Sequence, residues 1–134
     1  METAQEKKEE KREQKAFSIV KRAKSFTHAA RGIRVHIATT HNAWIQITLG
    51  IIGIALGFYF HISETEWLAL VLATGLLIAA EAFNTAREID IDLTSPNYHP
   101  YARDVKDVAA GAVLLTALTA LAIGLIIFLP KIFI

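Results

Sequence analysis

The chain has 134 residues, of which 53% are hydrophobic and 20% charged, and its net charge is +1. Its mean hydropathy is +0.37, and its hydrophobic share exceeds the roughly 45–50% of soluble domains. The near-zero net charge, with basic and acidic residues interleaved, argues against a nucleic-acid-binding protein. The absence of cysteine excludes disulfides, thiolate zinc sites, iron–sulfur clusters and cysteine nucleophiles.

The first two segments differ sharply in composition. Residues 1–15 are almost wholly charged or polar and are predicted to form a disordered, solvated tail without chemistry. Residues 16–38 carry apolar side chains at steps of three or four, beside five Lys and Arg residues. This pattern predicts an amphipathic helix on the anionic inner leaflet of a membrane. The alternative is a soluble helix packed on another domain, but the rest of the chain offers no such domain.

Three apolar stretches are predicted to span a membrane, at about residues 43–60, 67–89 and 106–129. The first contains 18 uncharged residues, and residues 108–129 contain 22, enough for a helix to cross a bilayer. The middle span is long enough only if it includes Glu81. Ten Lys and Arg residues precede Ala43, so the positive-inside rule predicts a cytoplasmic N-terminus.

An acidic and amide face lies on the middle predicted span. Its members are spaced three, four and four residues apart and therefore share one helical face: Glu81, Asn84, Glu88 and Asp92. Glu81 lies about 21 Å beyond Trp67 in a hydrocarbon core about 30 Å thick, which places it in the inner third. Glu88 is expected about 10 Å further along, at the inner interface.

A carboxylate at this depth costs at least about 2.5 kcal/mol to insert, and such groups usually mark a functional site. Beside a lipid alcohol, Glu81 suits a general base. Glu88 and Asn84 offer oxygen ligands to Mg²⁺, which usually also holds substrate phosphates. A purely structural alternative pairs Glu81 with a basic residue of a neighbouring helix and uses Asn84 as a helix-to-helix hydrogen bond.

The inner loop and the start of the third span add further polar groups. Pro96 and Pro100 are predicted to break the helix. Lys106 can neutralise a transferring phosphate or snorkel to the interface as an ordinary helix-end lysine. Asp104 and Asp107 can act there or cap the helix. The sequence has none of the phosphate-loop, dinucleotide, zinc-protease or serine-hydrolase motifs of soluble enzymes.

The blocks EAFNTAREIDID and NYHPYARDVKDVAAGAVLL resemble the signature of the prokaryotic diacylglycerol kinase and undecaprenol kinase family. The resemblance implies an all-α membrane protein of the bacterial inner membrane, a homotrimer of three-span subunits, each preceded by a surface helix. It implies phosphorylation of a lipid hydroxyl by ATP with Mg²⁺ at the cytoplasmic face, in sites shared between neighbouring subunits. The second block is closer to the undecaprenol kinase branch.

The resemblance also implies roles for individual residues. Glu81 takes the position of the general base, Glu88 that of the metal-binding acid, and Asn84 that of the motif's asparagine. The nucleotide-contacting positions fall on Asn97, Tyr98, His99, Lys106 and Asp107. Lys21 on the surface helix corresponds to a further basic contact with the nucleotide.

The sequence departs from the family at the entrance to the first span. The usual E-x-N-x-R pattern is replaced by THNAW, which puts Thr40 at the position of an acidic metal ligand and Trp44 at the arginine. Loss of this carboxylate is expected to weaken Mg²⁺ binding. An alternative function is therefore a catalytically degenerate member that only binds lipid or nucleotide. A transporter would need a polar path through the outer half of the spans, where the sequence offers little beyond Gln46 and scattered threonines.

Overall fold

The computed structural model describes residues 19–133, and the predicted tail at residues 1–15 lies outside this range. The regular secondary structure of the described residues is entirely helical. The helices are α1 (Ile19–Thr39), α2 (His41–Tyr59), α3 (Glu64–Thr94) and α4 (Pro100–Ile132). Helices α2, α3 and α4 are each long and apolar enough to cross a membrane. The predicted fold class, an all-α membrane protein with three long apolar helices, is confirmed.

The chain divides into two compact units at Gly32 and Ile33, and each is described by itself. In the first unit, the described part of α1 is a helix whose side chains are all exposed. The apolar side chains of this segment are exposed as well; Phe26, for example, is 77% exposed. The second unit contains the end of α1 and all of helices α2, α3 and α4.

A short turn joins α2 to α3. His61 has a positive φ of 50°, and Ser63 begins α3 with a capping box. The Ser63 hydroxyl accepts from the backbone N–H of Glu66, and the Glu66 carboxylate accepts from the backbone N–H of Ser63. This reciprocal pair satisfies two backbone donors at the helix start.

Glycines on α2 allow it to lie close to α3. A Cβ atom at Gly57 would lie 2.7 Å from the indole of Trp67, and one at Gly53 would lie 3.5 Å from Leu70. The sequence suggests that this GxxxG pair serves contacts between subunits, but in the structure it faces a helix of its own chain. The buried core lies at this end of the helices and contains Ile62, Leu70, Ile127 and Phe128.

Helices α3 and α4 pack along their length and are joined by residues 95–99. Helix α4 begins at Pro100, the first-turn position where a missing backbone N–H costs nothing. His99 is its N-cap, with Nδ1 accepting from the N–H of Tyr101 at 3.3 Å. The suggestion that Asp104 or Asp107 caps this helix is wrong, since both lie beyond the cap within the helix.

Candidate functional site

Glu81 is the most deeply buried large side chain among the described residues, with 1% of its surface exposed. It lies on α3, and its Oε2 accepts a hydrogen bond from the side-chain Nε2 of Gln46 on α2 at 3.3 Å. A buried carboxylate normally requires a charged or hydrogen-bonded partner. Here the observed contact is a neutral amide, so the carboxylate is held in place without being neutralised by this partner.

One turn further along α3, the buried hydroxyl of Thr85 joins three segments of the second unit. It donates to the backbone carbonyl of Glu81 at 2.9 Å. Its oxygen lies 3.0 Å from His36 Nδ1 at the end of α1 and 2.9 Å from the hydroxyl of Thr40 at the start of α2. These contacts fix the α1–α2 junction against the helix that carries Glu81.

The polarity of this hydrogen-bond chain follows from the number of protons. Thr85 has one hydroxyl proton, and a backbone carbonyl can only accept, so that proton is committed to Glu81. Both other partners must then donate to the Thr85 oxygen. His36 in its neutral form is therefore the Nδ1–H tautomer, and its Nε2 carries a lone pair. The Thr40 hydroxyl proton is donated to the Thr85 oxygen, so Thr40 can bind a ligand only through the lone pairs of its own oxygen.

Three buried polar atoms near Glu81 have no hydrogen-bond partner within the described structure. They are His36 Nε2, Gln46 Oε1 and Asn84 Oδ1. Such atoms are uncommon in native proteins and indicate a place where water, an ion or a ligand completes the hydrogen bonding. Asn84 lies on α3 itself, one turn from Glu81. His36 and Gln46 lie on other segments and contact α3 through Thr85 and Glu81.

Glu88 is exposed, and its Oε1 accepts from Asn84 Nδ2 at 3.4 Å. This contact leaves the Asn84 carbonyl oxygen directed elsewhere and unpartnered. A carboxylate and an amide oxygen one turn apart are the hard oxygen donors that Mg²⁺ takes, together with water and phosphate oxygens. These two residues therefore fit a divalent cation. Among residues 19–133, no three His, Asp or Glu side chains converge as a metal site.

The residues predicted to contact nucleotide lie in three places. Lys106 on α4 forms an ion pair with Asp92 on α3, with 2.5 Å between Nζ and Oδ1. Around the inner loop, Asn97 is exposed in a bend and the Tyr98 hydroxyl lies 3.5 Å from Arg103. His99 caps α4, and Asp107 pairs with Arg103 at 4.0 Å. Lys21 is exposed on α1 in the other unit.

A cavity of about 600 Å³ lies between α2, α3 and α4. Apolar side chains form most of its wall, including Leu49, Leu70 and Leu114. Asn42 and Gln46 line it at the end where α2 begins. The cavity is thus apolar along its length and polar at the end nearest Glu81, where the Gln46 amide contacts the Glu81 carboxylate.

Sequence reasoning missed three residues of this site: His36, Gln46 and Thr85. The expectation that Gln46 lies in the outer half of the spans is wrong, because its amide contacts Glu81. Thr85 and Glu88 both follow Glu81 at helical spacing, so the sequence also permits a face of residues 81, 85, 88 and 92. His36 interrupts the apolar stripe of α1, but nothing in its sequence surroundings indicates a partner.

Comparison with known proteins gives consistent matches. The family model described as prokaryotic diacylglycerol kinase matches residues 27–128. The chain is 40% identical over 108 residues to the undecaprenol kinase of Bacillus subtilis, covering 81% of this chain and 88% of that protein. It is 36% identical over 107 residues to a diacylglycerol kinase of Synechocystis, covering 79% of this chain and 61% of that protein. A Helicobacter pylori diacylglycerol kinase is 27% identical over 106 residues, covering 74% and 83%.

Proposed function

This chain belongs to the prokaryotic diacylglycerol kinase family and is a lipid kinase, and we propose that it transfers the γ-phosphoryl group of ATP to a lipid hydroxyl. The proposed location is the cytoplasmic face of a bacterial inner membrane, with the N-terminus inside. Thirteen Lys and Arg residues on the inner side against Lys131 on the outer side support this orientation.

The observation that carries the proposal is the burial of Glu81 beside a cavity that is apolar along its length. A lipid alcohol needs an apolar path for its chain and a base for its hydroxyl at the same place. The cavity wall offers the apolar path, and Gln46, which lines the cavity, contacts the buried Glu81 carboxylate. Few other membrane functions require an acid at lipid depth next to a water-facing acid such as Glu88.

In the proposed mechanism, Glu81 accepts the proton of the lipid hydroxyl as the hydroxyl oxygen attacks the γ-phosphorus. The bond from the γ-phosphorus to the bridging oxygen breaks in line, and ADP leaves. Lys106 balances charge on the transferring phosphoryl group. Its partner Asp92 is 70% exposed, and an exposed ion pair is weak enough for Lys106 to exchange partners.

The nucleotide and its cation are proposed to lie at the water-facing end of this face. Glu88 and Asn84 would hold Mg²⁺, which when bound supplies positive charge to the nucleotide phosphates. Residues proposed to contact the nucleotide directly are Lys21, Asn97, Tyr98, His99 and Asp107. Thr40, at the position of the family's acid, is proposed to reach the cation only through its hydroxyl oxygen.

A homotrimer is the proposed assembly. The apolar windows of α2, α3 and α4 remain mostly exposed in a single chain, and the cavity between them is open. Neighbouring subunits or lipid would cover these surfaces. In a site shared between subunits, the neighbouring subunit would also add side chains that bind the cation or the nucleotide at the Glu81 and Glu88 face of α3. One chain alone supplies few such side chains there.

The substrate is proposed to be a lipid alcohol of the undecaprenol or diacylglycerol class. The 40% identical relative is named an undecaprenol kinase, so a long prenyl alcohol is the first substrate to test. Purified protein in lipid bilayers is incubated with ATP labelled at the γ-phosphate and each lipid in turn. The product that carries the label is then identified by mass.

The decisive variant for the proposed base is Glu81→Gln. It preserves volume and hydrogen bonding but removes the basic carboxylate, so lipid labelling should fall by at least about 10²-fold. Glu64→Gln, at the opposite end of the same helix, is the matched control and should label lipid like the wild-type protein. Labelling that persists in Glu81→Gln would refute the assignment of the base.

The alternative, a degenerate member that binds without catalysis, is favoured by one observation. No carboxylate stands at residue 40, where the family resemblance implies an acidic metal ligand. The same labelling experiment separates the two functions. Absence of labelled product with every lipid alcohol, in protein that still binds nucleotide, would support the degenerate alternative.

A further inference from the structure

We infer that Gln46 is the positioning residue of Glu81, and that its amide serves the carboxylate both before and after the proton transfer. The inference deepens the proposed function and rests on it for the identity of the reaction. The contact itself is independent of that function, because it joins two side chains of the described structure.

The orientation of the Gln46 amide is determined by chemistry as well as by its observed contact. An ionised carboxylate can only accept hydrogen bonds, so the atom that faces Glu81 Oε2 at 3.3 Å must be the amide nitrogen. The opposite assignment would place two acceptors against each other in a buried site. Before the reaction, Gln46 thus fixes one carboxylate oxygen of Glu81.

The carbonyl oxygen of Gln46 is buried and has no hydrogen-bond partner among residues 19–133. Buried acceptors are normally satisfied, and a helix-to-helix hydrogen bond alone would not require an amide with a spare acceptor. Gln46 also lines the apolar cavity at its polar end. The unpaired oxygen therefore belongs to the side chain that both lines the cavity and contacts the proposed base.

Proton transfer changes what Glu81 needs from its neighbour. The lipid O–H bond breaks and its proton joins a carboxylate oxygen, while the lipid oxygen bonds to phosphorus and the phosphorus–ADP bond breaks. Glu81 is then a carboxylic acid, which donates a hydrogen bond. Rotation of the terminal amide group of Gln46 presents its carbonyl oxygen as the acceptor. One neutral side chain is thus complementary to both forms of the base.

A charged partner would lack this property. A lysine or arginine at residue 46 can donate to the ionised carboxylate but has no acceptor for the protonated form. An apolar residue serves neither form. The amide is therefore suited to a base whose charge changes during each turnover at lipid depth.

The test uses Gln46→Met and Gln46→Leu, which keep the approximate volume but remove both polar atoms. Ile51→Met, on the same helix but exposed and outside the cavity lining, is the matched control. We expect kcat to fall about 100-fold in both Gln46 variants, as for a misplaced catalytic group. KM for ATP should stay within about twofold, because no nucleotide contact is assigned to Gln46. The solvent deuterium isotope effect on kcat should increase.

A second measurement needs no activity. Infrared difference spectra of wild type against Glu81→Gln identify the Glu81 carboxylate band, and this band should shift when Gln46 is replaced but not in Ile51→Met. An unchanged band would overturn the positioning role even if the protein proves to have another reaction. Unchanged kcat, or a raised KM with kcat unchanged, would also overturn it. Shifted spectra in a protein that labels no lipid would refute only the proposed function.

Discussion

Helices α3 and α4 are joined by an ion pair at each end, and the two pairs differ in their surroundings. At the turn end, next to the turn between α2 and α3, Lys131 pairs with Glu66 at 3.0 Å, and the two side chains are only 29% and 28% exposed. Glu66 is also part of the capping box of α3. At the loop end, next to residues 95–99, Lys106 pairs with Asp92, whose side chain is 70% exposed.

The difference shows how one type of contact can serve structure at one end and chemistry at the other. Glu66 is held by the helix cap and by Lys131 together, next to the buried core of Ile62, Leu70, Ile127 and Phe128. At the loop end, Lys106 has an exposed partner, Asp92, on the helix that carries Glu81 and Glu88. An exposed pair exchanges readily with another anion, whereas the pair at the turn end is fixed by several contacts at once.

The largest effect that would separate the two ends is expected from the two lysines. Lys106→Met should lower kcat/KM for ATP about 100-fold, because a positive charge at the transferring phosphoryl group is lost. Lys131→Met should leave kcat/KM within about twofold. The comparison is measured by steady-state kinetics of lipid labelling. Equal losses in the two variants would show that both pairs are structural.

An intermediate effect is expected at the packed turn end of the helices. Gly57→Ala should destabilise the protein by about 1–3 kcal/mol, since the added Cβ would lie 2.7 Å from Trp67. Gly75→Ala is the matched control, as its Cβ would have no neighbour within 4 Å. Free energies of unfolding in detergent micelles provide the measurement. A Gly57→Ala protein as stable as the control would mean that α2 does not pack closely on α3.

The smallest effect is expected where the chain departs from its family. Thr40→Glu restores a carboxylate beside Thr85 and should lower the Mg²⁺ concentration for half-maximal activity several-fold, about 1 kcal/mol of added binding. Thr39→Glu, one residue earlier and exposed, should leave that concentration unchanged. Activity is titrated with Mg²⁺ at fixed ATP. An unchanged or higher requirement in Thr40→Glu would show that residue 40 does not approach the cation.

Much of the fold could be predicted because it depends on local properties of the chain. Long uncharged stretches indicate membrane-spanning helices wherever they pack, since a backbone in lipid must satisfy its hydrogen bonds internally. The helices nevertheless extend beyond the apolar stretches, and α4 begins at Pro100 rather than near residue 106. Helical conformation continues into water, so polarity alone does not mark where a helix ends.

The site could be predicted only in part. Glu81, Asn84, Glu88 and Asp92 share one helix, and the helical repeat alone places them on one face. The partners of these residues come from other segments, and helix spacing carries no information about them. Gln46 and His36 lie 35 and 49 residues from the residues they contact, and neither contact has a pattern in the sequence.

The sequence by itself determined that this protein has three apolar helices, a carboxylate within the middle one and the signature of a lipid kinase family. These follow from composition and from spacing within single helices. Only the tertiary structure decided that Gly57 packs against Trp67, that Lys106 pairs with Asp92 and that the amide of Gln46 contacts Glu81. The physical reason is that contacts between helices depend on how the helices are rotated and shifted relative to one another. The apolar pattern of a sequence does not specify that rotation or shift.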